Sequence, residues 1–440
     1  MAFEDLYGLS VSTTSEPAAR AYRRGIELML SAWPGGTEAL ELSIEADPDF
    51  ALAHAARSRM HLIYGEMPPA QQQAAAARKL VAQNGTAREK SHVEILALTT
   101  EGQSVKALEM TLDHLDRWPR DALIMSLPLG AFGLFAFSGI ADHDQARVDL
   151  CERHARHYGH DWWFLTYLGW SHTENGSVAA GRGITERAFE RRRENAHALH
   201  ALAHAMFEDG STADAEALIA GWLPGYDRSG LMHGHVAWHQ ALLALEQGDT
   251  GKAGRIYFET IQPSVTRAAP LNAMTDGVSL LWRLEASGHP VADDAWRDLA
   301  DYSERRFPRA GNSFIDVHMA MLAAMTRNGT ALEQRLADLD QRRADGKLPA
   351  GSVVPDICRA ARAFAEGDFQ ACVKLLEPAS GEVVRIGGSH AQREMIEDTL
   401  LVALMKCGEA ARARDLLDRR LHRRPSLRDA RWRTAAGVGA

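Results

Sequence analysis

Apolar residues along this chain recur at three- and four-residue intervals over several turns at a time, the spacing that gathers them on one face of a helix. Many of these stretches end at a glycine, and the glycines keep a near-constant period: Gly65, Gly102, Gly139, Gly176, Gly210, Gly248, Gly288, Gly329, Gly367 and Gly408, separated by 37, 37, 37, 34, 38, 40, 41, 38 and 41 residues. Small residues soon follow, as in EQGDTGKA to Ala253, AEGDFQA to Ala371 and KCGEAARA to Ala413. A helix, a glycine that ends it in a left-handed turn, and a second helix with alanine where it crosses the first is the physical unit this predicts. Proline closes several second helices, after Asp47, Trp118 and Gln262, since it cannot continue them. No alternating β pattern of useful length is present. The expectation is an all-α, tetratricopeptide-like helical-repeat superhelix (an α-solenoid), with residues 1–440 forming one array of roughly ten helix-pair repeats.

Two departures from the pattern need a reading. Ala122 to Ala141 carries no charge across 20 residues, long enough to span a bilayer. It contains Pro128, Gly130, Gly133 and Ser138 and falls in register with the repeats, so the expectation is a buried helix that covers a pocket or makes a homodimer contact. Between Pro378 and His390, PASGEVVRIGGSH breaks the helical pattern and reads as an irregular entry to the next helix.

Composition excludes some classes. The 440 residues are 46% hydrophobic and 24% charged, with a net charge of −9, which argues against a surface built for nucleic acid. The run from Arg187 to Arg193 (RAFERRR) reads as a solvated helix face. Cys151, Cys358, Cys372 and Cys407 show no CxxC pair and no framework spacing, so they read as reduced thiols. The acidic MAFEDLYGLS start lacks the apolar core of a signal peptide. With no membrane span expected, the predicted location is cytoplasmic.

Candidate chemistry concentrates in two consecutive repeats. His200-Ala-Leu-Ala-His204, with His197 one turn earlier, and His235-Val-Ala-Trp-His239 each place two imidazoles on one helix face. His200 lies 10 residues before Gly210, His239 lies 9 before Gly248, Asp276 lies 12 before Gly288 and His318 lies 11 before Gly329. First helices of adjacent repeats run side by side, so matching offsets predict similar heights on the inner, concave wall. HxxxH on one face can supply two nitrogens to one metal ion, and a carboxylate such as Asp276 or Asp316 could complete or orient the set. The alternative is that the imidazoles bond one another, a carboxylate or water. Asp276 and Arg283 share a face, which suits an internal ion pair or an anion site. Asp316 and His318, two residues apart, cannot both point inward. Arg393 follows Gly387-Gly388-Ser389, an arrangement that either presents amides and a guanidinium to an anion or simply starts a helix. Trp162, Trp163, Trp170, Trp238 and Trp282 read first as core.

Several stretches carry a resemblance. LSVSTTS near the start, HALAHAMFEDG, HVAWHQALLALEQGD, DGVSLLWRLEASG, FIDVHMAMLA and GGSHAQRE occur in the same order as in the tetratricopeptide repeat protein 38 family, which the chain resembles over nearly its whole length. The resemblance implies the same repeat fold. It implies functional positions at His200, His204, His235, Trp238, His239, Asp276, Arg283, Asp316, His318, Gln392 and Arg393. The family's acidic residue seven positions after the first histidine is Phe207 here, with Glu208 beside it. No reaction comes with the family.

The expected function is therefore a histidine-rich pocket acting on a small polar or anionic substrate by hydrolysis or acid/base chemistry, with a divalent metal ion as candidate cofactor. His200, His204, His239 and Asp276 are its candidate catalytic residues. Trp238, Arg283, Asp316, His318, Gln392 and Arg393 are its candidate ligand-binding residues, and His200, His204, His235 and His239 its candidate metal ligands. The alternative is a non-catalytic repeat module that binds a peptide or small molecule.

Overall fold

The computed structural model describes residues 3–438. Twenty-three α-helices occupy most of them: α1 Glu16–Ser31, α2 Gly36–Ala46, α3 Ala51–Ile63, α4 Met67–Asn84, α5 Ala87–Thr100, α6 Ser104–Arg117, α7 Ala122–Leu129, α8 His143–Tyr158, α9 Trp162–Glu174, α10 Val178–Arg191, α11 Ala196–Glu208, α12 Thr212–Trp222, α13 His233–Gln247, α14 Thr250–Ile256, α15 Pro270–Ala286, α16 Asp293–Glu304, α17 Ser313–Met325, α18 Gly329–Ala344, α19 Val353–Ala365, α20 Phe369–Ala379, α21 His390–Lys406, α22 Ala410–Arg423 and α23 Leu427–Val438. Odd and even helices alternate as first and second members of pairs, with α23 left over at the end. The fold is all-α and built of tetratricopeptide-like helix pairs. Its strand content among the described residues is a two-residue antiparallel ladder, Phe3–Glu4 against Ser10–Val11.

The turns explain why the pairs form where they do. Gly248 sits at φ +87° after α13, a left-handed conformation that glycine adopts without a Cβ penalty. Asp249 next to it accepts from the Lys252 amide and so caps α14, and Asp368 does the same for α20 through Ala371. Two repeats depart from the glycine pattern, the first at Gly139, which is left-handed but lies ten residues beyond the end of α7. Gly329 is not the left-handed residue after α17; Arg327 holds that conformation at φ +55°, and Gly329 instead opens α18 behind the Asn328 cap. The expected long apolar helix over 122–141 is also shorter. α7 stops at Leu129, because Pro128 removes a backbone donor and Gly130 turns to extended dihedrals. Among the described residues no helix is long and apolar enough to cross a membrane. The irregular segment before α21 is a 3₁₀ turn over Ser380–Ile386, followed by two left-handed glycines.

The chain divides into two compact units. One comprises residues 1–138, 143–175 and 183–201; the other comprises 139–142, 176–182 and 202–440. In the first, Trp163, Phe164, Leu52 and Leu40 form a closely buried core. Its N-terminal segment is fastened by Arg88, which donates to Asp5 (3.1 Å) and the Ser10 carbonyl (2.9 Å). Buried Asp121 also takes Arg88 (3.0 Å), His92 (2.9 Å) and His114 (3.2 Å), so the charges of the cluster are mutually compensated. In the second unit Trp238, Trp282 and Phe314 are almost wholly enclosed. The Trp282 indole donates to Thr399 (2.8 Å), tying α15 to α21.

Candidate functional site

Spacing of the two HxxxH pairs puts their side chains on one face of α11 and one face of α13, and the helices bring those faces together. One ring nitrogen from each of His200, His204, His235 and His239 lies within 4.8 Å of those of the others. His204, His235 and His239 belong to the second unit, and His200 sits one turn earlier on the continuous helix α11. The ring centroids of His204 and His239 are 4.4 Å apart, edge to face, and those of His235 and His239 are 4.9 Å apart. These imidazoles are buried: His204 is 0% exposed, His239 3%, His235 4% and His200 8%. They form an enclosed polar centre in the protein core.

Asp276, on α15, completes the arrangement. Its Oδ2 lies 2.9 Å from His235 Nδ1, a contact that orients the ring. The other carboxylate oxygen is buried with no hydrogen-bond partner among the described residues. Burial, together with the neighbouring His204, His235 and Arg283, pushes the His239 imidazole well below its ordinary pKa, so it is neutral at physiological pH. The centre therefore sets imidazole nitrogens beside one carboxylate.

The remaining candidates fall into three groups. Trp238 is fully buried, stacked on the His235 ring at 5.3 Å, with the Arg283 guanidinium 5.7 Å from its ring centre. It packs the wall of the histidine centre. Arg283 does not pair with Asp276. It faces Asp398 at 3.6 Å and donates to the Ala391 carbonyl at 2.6 Å; burial lowers its pKa to about 10 against the pull of Asp398 and Glu394. Asp316 is held by Arg335, on α18 of the same helix pair, and by the Gly311 amide (2.9 Å) just before α17. His318 donates Nδ1–H to the Phe314 carbonyl at 2.7 Å. Gln392 closes a capping box with Ser389, and Arg393 donates to the Gly388 carbonyl at 2.5 Å. The Gly387-Gly388-Ser389 segment is thus a helix start, because Gln392 Oε1 takes the Ser389 amide that an anion would need. Glu208 accepts from His390 at 3.2 Å, and Arg424 covers the Phe207 ring at 4.1 Å.

A second cluster escaped the sequence reading. Arg420, Arg424 and Arg428 interlock with Glu394, Asp398, Asp429 and Glu246, all buried, and so fasten α22 and α23 to α21 and α13. In sequence these arginines look like a solvated charge run. Their four-residue spacing marks no helix face, because α22 ends at Arg423 and α23 begins at Leu427.

His318 makes a pH prediction. Burial is the main cause that lowers its pKa from 6.5 to about 4. Between those values the unfolded chain takes up a proton that the folded chain refuses, so stability is complete above pH 6.5 and falls as the pH drops toward 4. At pH 5 the loss from this residue should be about 2 kcal/mol. Denaturant midpoints at pH 7 and pH 5 should converge in His318→Leu relative to the unsubstituted protein; an identical pH dependence in both would contradict the assignment.

No protein-family model matches the chain. Among solved structures it is similar to a tetratricopeptide repeat protein from Parabacteroides merdae, with 14% identity, 72% of this chain and 98% of that chain covered, and a TM-score of 0.32. It is similar to yeast Tom70 at 13% identity, covering 96% and 95% of the two chains, with a TM-score of 0.32. The tetratricopeptide domain of P58(IPK) follows at 11% identity, 89% of each chain and a TM-score of 0.22. At these scores the repeat architecture rests on the chain's own helix pairs and turns.

Proposed function

We propose that this chain is a helical-repeat binding module, not an enzyme, and that it holds a compact ligand at the buried histidine centre. One observation carries the reading: the imidazoles converge to within 4.8 Å while remaining 0–8% exposed. Enclosure of this kind suits a small ligand retained between helices and leaves no open face for turnover of a larger substrate. The motif resemblance to the tetratricopeptide repeat protein 38 family belongs to the same proposal, since the histidines lie in its matching stretches. A second reading is an acid/base enzyme. It is favoured by the His235–Asp276 pair at 2.9 Å, the orientation a general base requires.

Native mass spectrometry of the tag-free protein tests the binding reading. A mass excess over the bare chain should be present, and should be absent from His204→Ala and from His239→Ala. A bare wild-type chain that gains nothing on incubation with candidate ligands would count against the module. Substrate turnover that is lost in Asp276→Asn would favour the enzyme.

A further inference from the structure

We infer that the ligand of this centre is a single divalent transition-metal ion, held by His204, His235, His239 and His200, with Asp276 as its outer-sphere carboxylate. The inference rests on the binding reading above and names the chemistry of the ligand.

The donor set is the first argument. Imidazole nitrogens are borderline donors that suit zinc, copper, nickel and cobalt, whereas calcium and magnesium take oxygen. Metal–nitrogen bonds of about 2.0–2.1 Å in a tetrahedral site put the nitrogens roughly 3.4 Å apart. The four nitrogens here already lie within 4.8 Å of one another, so small side-chain rotations close the shell without moving a helix. Each pair comes from an HxxxH on one helix, α11 or α13, so the backbone carries the donors and no loop has to order.

Asp276 is the second, independent argument. A histidine bound to metal through one nitrogen typically donates its other N–H to a carboxylate, which sets the tautomer and raises the basicity of the donor. His235 already makes that bond through Nδ1 at 2.9 Å, so Nε2 is its metal-facing atom. Charge agrees as well. Asp276 supplies one negative charge beside the ion, and the nearby Arg283 is turned toward Asp398.

Four protein ligands leave no coordination position open. The site would therefore be of the closed, structural kind, with the ion cross-linking α11 and α13 and no position for a water ligand.

The test uses the tag-free full-length chain. After dialysis against a chelator, one equivalent of Zn2+ should bind per chain by calorimetry, and one equivalent of Co2+ should give the visible bands of tetrahedral coordination. Elemental analysis of protein purified without added metal should find close to one zinc-like ion per chain. His204→Ala and His239→Ala should weaken Zn2+ binding at least 100-fold. Asp276→Asn, which keeps the side-chain shape, should weaken it 10- to 100-fold with the melting temperature measured alongside. Binding weaker than millimolar in the unsubstituted protein, or Zn2+ affinity unchanged in His204→Ala, would overturn the metal. If native mass spectrometry then shows an organic molecule that is lost in His204→Ala, the binding module stands and the metal falls. If it shows nothing, both fall.

Discussion

Arg420→Ala is expected to be among the most destabilising single substitutions in the second unit, costing about 3–5 kcal/mol. Its guanidinium is 2% exposed and donates to Asp429 (2.8 Å), Asp398 (2.8 Å) and Glu394 (2.5 Å). Burial opposes its charge, but Glu394, Asp398 and Asp429 together raise its pKa well above the ordinary arginine value. Removing it leaves three buried carboxylates against Arg424 and Arg428, with Arg283 facing Asp398 from 3.6 Å. The energy lost is chiefly the cost of those stranded charges, and the net worth of the intact pairs is smaller. At about 2–4 °C per kcal/mol for a body of this size, the melting temperature should fall by roughly 10 °C. Arg420→Lys keeps the charge and loses the planar fork, so it should recover part of the loss. The network also has a pH signature. Burial raises the Glu394 pKa, yet Arg424, Arg420 and Arg428 bring it well below the ordinary glutamate value of 4.5. Its stabilisation is complete above that value and fades as the pH falls through the lower folded pKa. A melting temperature within 2 °C of the unsubstituted protein would show that the cluster is not the fastening it is taken to be.

Trp238→Ala should cost a similar amount, about 3–5 kcal/mol, through lost burial and the cavity that remains. The indole is 0% exposed, stacks on His235 at 5.3 Å and meets His239 edge-on at 4.9 Å. Its wall holds two of the rings proposed to face the ion, so Zn2+ affinity should fall together with stability. Trp238→Phe keeps an aromatic face and should retain most of both. Denaturant unfolding beside Zn2+ titration separates the roles. Loss of binding at unchanged stability would mark Trp238 as a ligand contact on an open surface, contrary to the packed wall described above.

Local signals made the repeat legible. The three-to-four spacing of apolar residues, the glycine near every thirty-eighth position and the Gly-Asp turns are short-range features, and each acts within one or two turns of helix. The same is true of the two HxxxH pairs, whose nitrogens share a face by helical geometry alone. Where the local rule was ambiguous, the reading drifted. Gly329 has the right period, yet Arg327 takes the left-handed turn. The apolar stretch after Ala122 has the right composition, yet Pro128 and Gly130 end its helix after eight residues.

Which partners meet across the fold is a different matter. Asp276 lies 41 residues from His235, and its bond to that ring, in place of one to Arg283, depends on how α13 and α15 pack. Asp316 and Gln392 looked like site residues, but packing commits one to Arg335 and the other to the start of α21. Arg420, Arg424 and Arg428 carry no local signal of burial, and only the docking of α22 and α23 buries them beside Glu394 and Glu246. The sequence by itself determined the helices, their turns and the faces that carry the imidazoles, because those follow from steric and hydrogen-bond rules between near neighbours. Tertiary structure alone decided burial and long-range pairing, because desolvation depends on everything packed around a group and not on its place in the chain.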